Sequence, residues 1–444
     1  MGNLELAGAF FALLMVLIFL RMPIGLAMLL CGIGGSVAVT GSTVPVMAQM
    51  KTMVFDTFSS YSLSIVPLFL LMGQFATRGG MSAALFKAAE AALGRLKGGV
   101  AMAAVGACAA FGAICGSSLA TAATMGQVAL PEMRKYGYSD ALATGALAAG
   151  GTLGILIPPS IVLVIYAILA EQNIAKLFMA ALIPGLLASL GYILAIAVAV
   201  RLKPSLLGTS VDGPPVRSGA TAKDIALGVL PVLVIFFVVI GGISFGFFTP
   251  TEGAAVGAAA TGIAAVTLGG MDWRSFVGAL QETATATGMI FFIVLGAAFF
   301  NTFLGFSQLP QTASAWVGGL DVNPYWVLFA VLVCYLIFGC VMDSLSMILL
   351  TVPIFFPMMS ELDFGLTPEE FALWFGIMVL VVVEVGLITP PVGMNLFVIN
   401  SMAKGVPIST TYGGVMPFII TDVLRVGILI AFPAISLFLV RWLF

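Results

Sequence analysis

From Leu6 to Leu20 the chain is apolar without interruption, and runs of this kind recur to its last residues, separated by short polar stretches. Several reach roughly 20 residues, the length needed to cross a hydrocarbon core of about 30 Å. The pattern predicts an all-α polytopic membrane protein. The first run, "LAGAFFALLMVLIFL", has no basic leader or small-residue cleavage site and reads as a permanent span. One stretch, "TRGGMSAALFKAAEAALGRLKGG", carries Arg78, Lys87, Arg95 and Lys97. It is too charged to span and reads as an amphipathic arm, 78–97, on the inner surface.

Composition excludes a soluble alternative, since 61% of the 444 residues are hydrophobic and only 8% charged. The basic residues orient the rest, because Lys and Arg favour the cytoplasmic side. With Arg21 inside, the chain goes out at 22–40 and returns at about 62–76. The apolar segment 99–130 then has basic residues at both ends, Lys97 before it and Arg134 and Lys135 after it. It enters and leaves on one side, with about 16 residues per limb, or roughly 24 Å of helix. That falls short of a bilayer and predicts a re-entrant hairpin turning at "FGAICGSS" (111–118), the alternative being two short tilted spans. Segment 324–359 has the same form without basic flanks, turning at "FGCVMDSLS" (338–346), and so opens outside. On this path only Lys51, Lys176 and Arg441 lie outside, and both termini are periplasmic.

One long polar loop, residues 202–223, divides two similar halves. In order, "RMPIGLAML" from Arg21 matches "TPTEGAAVGA" from Thr249, and "FGAICGSS" matches "FGCVMDSL". Likewise "LIPPS" at 156–160 matches "ITPPVG" at 388–393. Repeat 1 covers 1–201, with hairpin 99–130 and a broken helix at 140–171. Repeat 2 covers 224–444, with hairpin 324–359 and a broken helix at 369–400. Because the hairpins open to opposite sides, the repeats are inverted, the build of secondary transporters with a site between repeats. Proline removes a backbone donor and clashes with the preceding turn. A break in lipid leaves carbonyls unpaired, so paired breaks imply something that satisfies them, and a sodium ion suits such hard oxygens.

The hairpin tips concentrate small and hydroxyl residues: Gly116, Ser117, Ser118, Thr121 and Thr124 in the first, Asp343, Ser344 and Ser346 in the second. These can coordinate a cation or donate to an anion, and each limb beginning at a tip presents free N–H groups. Carboxylates within apolar runs are the sharper signal. Asp343 can bind a cation or orient donors, and Glu384, just before "VGLITPP", can help neutralise the same ion or else pair with a neighbouring hydroxyl or stay protonated. Asp422 and Arg425 read as a local pair near the inner end of the last helix, and Glu252 in "TPTEG" reads as a helix cap. No arginine is expected at mid-depth, so backbone and hydroxyl donors would hold a substrate carboxylate.

Other chemistries find no support. The chain has no histidine for a proton relay and no phosphate-binding "GxxxxGK[ST]". Its five cysteines (Cys31, Cys108, Cys115, Cys334, Cys340) lack metal or disulfide spacing and read as small apolar residues. An intramembrane enzyme would need a carboxylate pair, for which only Asp343 and Glu384 offer themselves. A channel would need a continuous polar stripe.

Taken together, "RMPIGLAM", "FGAICGSS", "GGTLGILIPPS", "FTPTEGAAVGA" and "VGLITPPVGMNLFVIN" resemble the large membrane subunit of tripartite ATP-independent periplasmic (TRAP) transporters, of DctM type, over essentially the whole chain. The resemblance implies an elevator-type ion-transporter fold in the bacterial inner membrane, driven by Na+. It implies three partners: a separate small four-helix membrane subunit, a periplasmic solute-binding protein, and a carboxylate solute such as a C4-dicarboxylate or sialic acid. No nucleic acid is involved. Carried over by motif, sodium would lie at Gly116, Ser117, Thr152, Gly154, Asp343, Ser344, Gly386 and Thr389. Solute would lie at Ser117, Ser118, Thr121, Ser346, Gly393 and Asn395. The alternative is an autonomous sodium- or proton-coupled carboxylate carrier that needs no binding protein.

Overall fold

A computed structural model describes residues 2–207, 222–319 and 322–444, and among them every regular element is a helix. α1 (Asn3–Phe19) and α2 (Ile24–Thr40) pack together, followed by α3 (Val44–Phe58) and α4 (Ile65–Arg78), which lie along one path bent by 44°. The expected return span at 62–76 therefore starts earlier: Pro45 opens the first turn of α3, and Ser59–Ser60 interrupt the path. A short arm α5 (Met81–Leu93) leads to the helix pair α6 (Gly99–Cys115) and α7 (Ser118–Lys135). Next come α8 (Asp140–Leu156) and α9 (Ile161–Leu169), two halves of a helix bent by 45°, and then α10 (Ile174–Leu202).

The second half begins with α11 (Ala222–Phe236), which continues through a π turn into α12 (Gly242–Ser244). The capping box of Thr249 and Glu252 starts α13 (Pro250–Thr267), giving Glu252 the structural role read from its position. After α14 (Trp273–Ser307) come a short α15 (Leu309–Gly318) and the helix pair α16 (Pro324–Gly339) and α17 (Ser344–Ser360). α18 (Pro368–Leu387) and α19 (Met394–Met402) are two parts of an interrupted path, before α20 (Ile408–Ala431) and α21 (Ala434–Leu443). Helices α10, α14, α18 and α20 are each long and apolar enough to cross a membrane, and the two bent pairs raise the number to six. Of the linker expected at 202–223, residues 208–221 lie outside the described residues.

The same order of elements thus occurs twice: three helical paths (α1, α2 and α3–α4; α11–α12, α13 and α14), an arm, a helix pair, an interrupted helix and a long helix, with α21 added at the end of the second half. The second arm, α15, went unread because "SQLPQTASAWVGG" carries none of the basic residues that betrayed the first. Each arm starts at a left-handed residue, Gly80 (φ 70°) and Gln308 (φ 54°). The halves interlock by exchange. α2 packs on α14 and α13 on α4, while α9 packs on α17 and α19 on α7.

Small residues make these crossings close, as membrane helices require when hydrophobic collapse cannot drive their association. A side chain at Gly32 of α2 would begin 2.6 Å from the Phe299–Phe300 backbone of α14. Gly32→Val should therefore force α2 and α14 apart at a cost of about 1–3 kcal/mol. Gly8→Ala, at a position with nothing within 4 Å, should be neutral. Thermal unfolding of the purified protein, with the fraction running as a single species, distinguishes the two; equal behaviour would refute the close crossing.

Candidate functional site

Glycine ends both first limbs of the helix pairs. α6 runs to Cys115, Gly116 takes a left-handed φ of 63°, and Ser117 caps α7 by accepting from the Ala120 N–H. In the second pair α16 ends at Gly339, and Asp343 caps α17, accepting from Ser346 N–H (3.0 Å) and Ser346 Oγ (2.6 Å). Both carboxylate oxygens of Asp343 are thus engaged in shaping the tip, and the Ser346 hydroxyl is spent on that cap.

Each tip lies against a helix break. The first break, Ile157–Ser160, and the second, Ile388–Gly393, both contain the double prolines, whose Pro–Pro bonds are cis. α6 meets α8 so closely that a side chain at Gly112 would begin 2.6 Å from the Gly154 Cα. From Gly154 a side chain would likewise meet Thr121 Oγ1 at 2.4 Å and the Ser117 carbonyl at 2.7 Å. At Gly116 it would meet the Pro159 carbonyl at 3.1 Å. Two carbonyls and a hydroxyl therefore gather where the first tip touches the first break. Thr121 Oγ1 is buried there without a hydrogen-bond partner. At the second break the Gly393 N–H donates to the Cys340 carbonyl at 3.1 Å, tying tip to break. The carbonyls of Leu387 and Thr389 face that same glycine. Among the described residues no three of His, Cys, Asp and Glu come together, and the oxygens gathered where tips meet breaks are backbone and hydroxyl, the Asp343 carboxylate being engaged in its cap. That donor set fits a sodium ion and not a softer transition metal.

Glu384 joins the two tips. It lies on α18, 0% exposed, and accepts a hydrogen bond from Ser118 Oγ of one tip and, at 2.8 Å, from Ser344 Oγ of the other. A buried carboxylate without such donors would be costly. Beside it, a cavity of about 210 Å³ is walled by Gly116, Ser117 and Ser118 from one tip and Asp343 and Ser344 from the other. The far wall is Leu70 of α4 with Ala286, Met289 and Ile290 of α14. Sequence reasoning missed these wall residues. Their only signal is "QETATATGM" (281–289), an unusual hydroxyl-rich run inside a long apolar helix.

The other expected residues lie outside this cavity. Thr152 Oγ1 donates to the Ala149 carbonyl and lies 3.1 Å from Tyr192 OH. Thr389 Oγ1 donates to the Val385 carbonyl, and Gly386 packs on Gly339. Asn395, fully buried, donates to the Ala148 carbonyl at 3.2 Å and pins α19 to α8. Asp422 and Arg425 do pair, at 2.8 Å, but not near a helix end. They sit in the interior, 1% and 5% exposed, where Tyr192 OH donates to Asp422 at 2.8 Å. Through Tyr192 this pair reaches Thr152, close to the first break. The pair's helix is α20, not the last one, and helical periodicity alone could not show that it turns this face to α8 and α10.

Crossing-length apolar helices, interrupted twice beside one cavity that lies between two serine-bearing tips, define a multi-pass membrane transport protein. Residues 11–435 match the family described as "Tripartite ATP-independent periplasmic transporter, DctM component". The chain belongs to that family. It is 37% identical over 415 residues to the C4-dicarboxylate TRAP transporter large permease protein DctM of Pseudomonas aeruginosa, covering 93% of this chain and 94% of that one. To the sialic acid TRAP transporter large permease protein SiaM of Vibrio cholerae it is 29% identical, covering 95% and 96%. The crystal structure of the YdaH transporter of Alcanivorax borkumensis superposes with a TM-score of 0.64 at 16% identity, covering 89% of this chain and 90% of that one, and so shares its fold.

Because one carboxylate serves both serines, their losses should couple. Ser118→Ala and Ser344→Ala should each cost about 1–3 kcal/mol. Together they should cost more than the sum, since the first loss leaves Glu384 one donor and the second leaves none. A double-mutant cycle in thermal or denaturant unfolding reads this directly; strict additivity would show that the tips do not share Glu384.

Proposed function

We propose that this chain is the sodium-coupled transport subunit of a tripartite importer for a small carboxylate-bearing solute, a C4-dicarboxylate, sialic acid or another organic acid. The observation that carries the reading is the cavity between the two tips, whose serines share Glu384, with a main-chain break beside each tip. The two halves repeat one order of elements and exchange contacts, which supports inverted repeats whose hairpins re-enter the membrane from opposite sides. Sodium would be held by the carbonyls and hydroxyls at Gly116, Ser117, Thr121 and Gly154, and by their counterparts at Cys340, Gly386, Leu387, Thr389 and Gly393. The solute carboxylate would be met by Ser117, Ser118 and the N–H groups that begin α7 and α17, where a helix start favours negative charge. Asp343 and Ser346 hold the second tip in shape, and Thr152 and Asn395 support the breaks from behind.

In this reading the helix pairs and interrupted helices move as one carrier against a scaffold containing α2, α4, α13 and α14, an elevator motion. The chain crosses the bacterial inner membrane with both termini periplasmic. A soluble periplasmic protein delivers the solute, and a separate small membrane subunit of four helices completes the complex. Relatives named for a C4-dicarboxylate, for sialic acid and for isethionate, a sulfonate, have an anionic group in common, which supports negative charge on the solute as the handle.

Vesicles reconstituted with the complex and a sodium gradient test the reading. Wild-type uptake should require sodium and the binding protein. Asp343→Ala, which removes the cap and the charge, should abolish uptake while the complex still assembles. Asp343→Asn, which keeps an oxygen for the Ser346 N–H, should separate capping from charge. Undiminished uptake by both would remove Asp343 from the site, and uptake without sodium would overturn the coupling.

A further inference from the structure

Away from the tips, on the flank where α10 and α20 run side by side, lies a second cavity of about 490 Å³. Its walls are aliphatic and its floor is made of small or flat residues, with Gly191, Ala195 and Ala199 on α10 and Gly413 and Gly414 on α20. The rim residues Leu194, Leu202 and Leu424 are 63%, 77% and 63% exposed, so the cleft opens sideways into whatever surrounds the protein. In a multi-pass membrane protein that surrounding is lipid. One end carries a positive charge, Lys203 at the foot of α10, with Arg201 two residues before it. Among the described residues Lys203 is in no ion pair.

The cleft's shape and charge point to its occupant. α10 and α20 touch at its floor, where the Tyr192 and Phe418 rings lie 5.5 Å apart edge to face. The groove above them admits a chain of methylenes along its length, and a helix seated there is the other outcome, which the oligomeric state reads. The stretch of α10 from Gly191 to Leu202, which contributes six lining residues, runs along it for roughly 16 Å of rise, enough for most of an acyl chain. An acyl chain brings its headgroup to the end where Lys203 stands, and basic residues at such a mouth favour anionic lipid.

We propose that the α10–α20 cleft is a binding site for an anionic phospholipid, one acyl chain lying over Gly191 and Gly413 and the headgroup phosphate on Lys203. The site is independent of the solute cavity. It gives the long helices beside the Asp422–Arg425 pair a lipid seam in place of an open groove.

Native mass spectrometry of the purified chain, titrated with phosphatidylglycerol or phosphatidylcholine, tests this with three proteins. Wild type should retain phosphatidylglycerol in preference to phosphatidylcholine. Lys203→Ala should weaken phosphatidylglycerol about fivefold and leave phosphatidylcholine unchanged. Gly413→Leu fills the cleft from a position with nothing within 4 Å of a new side chain, so the fold should tolerate it. It should remove one retained lipid of either kind. Lipid retention that is the same in all three proteins would overturn the site. So would a change in oligomeric state with Gly413→Leu in place of a lost lipid, because the cleft would then seat protein. Unchanged helical circular dichroism and melting confirm that each variant is folded.

Discussion

Glu384 accepts a hydrogen bond from Ser118 and another from Ser344, and it does so with no exposure to solvent. The two serines begin helices more than two hundred residues apart in the chain. A carboxylate taken out of water demands donors, and these two hydroxyls supply them. The tips are therefore held to a common point on α18, and the space they leave between them is the cavity at Gly116–Ser118 and Asp343–Ser344. If either tip withdrew, a buried acceptor would be left bare.

That bridge is reachable only because the surrounding backbones come close. Gly112 lies on Gly154, and Gly386 lies on Gly339, so each helix pair sits directly on an interrupted helix with no side chain between. The breaks leave carbonyls pointing at the tips, and Thr121 adds a buried hydroxyl with no protein partner. Oxygens of this kind, uncompensated inside an apolar protein, call for a cation or water. The glycines, the breaks and the carboxylate thus act as one arrangement.

Much of this could be read from the sequence. The helix-pair turns at 111–118 and 338–346, the diproline breaks and the repeated order all follow from local rules about Gly, Pro and hydrophobic runs, and those rules act over a few residues. What escaped depended on how distant helices face each other. Glu384 was read as helping to neutralise an ion or as pairing with a neighbouring hydroxyl; it does pair with hydroxyls, but nothing local indicated that they would come from both halves. Asp422 and Arg425 were paired correctly by spacing, yet their interior position depends on Tyr192 of another helix. The arm α15 and the wall at Ala286–Ile290 escaped for a different reason, since neither carries charge. Thr152, Ser346 and Asn395 were singled out by type, and each spends its polar group on backbone or on Asp343.

The most direct measurement is a high-resolution cryo-electron microscopy map of the chain in lipid nanodiscs containing sodium. It should show Ser118 and Ser344 together on the Glu384 carboxylate, with a density peak among the Ser117 and Pro159 carbonyls and Thr121 Oγ1 that disappears when potassium replaces sodium. Tips separated from Glu384, or helices running unbroken through both diproline segments, would contradict the account.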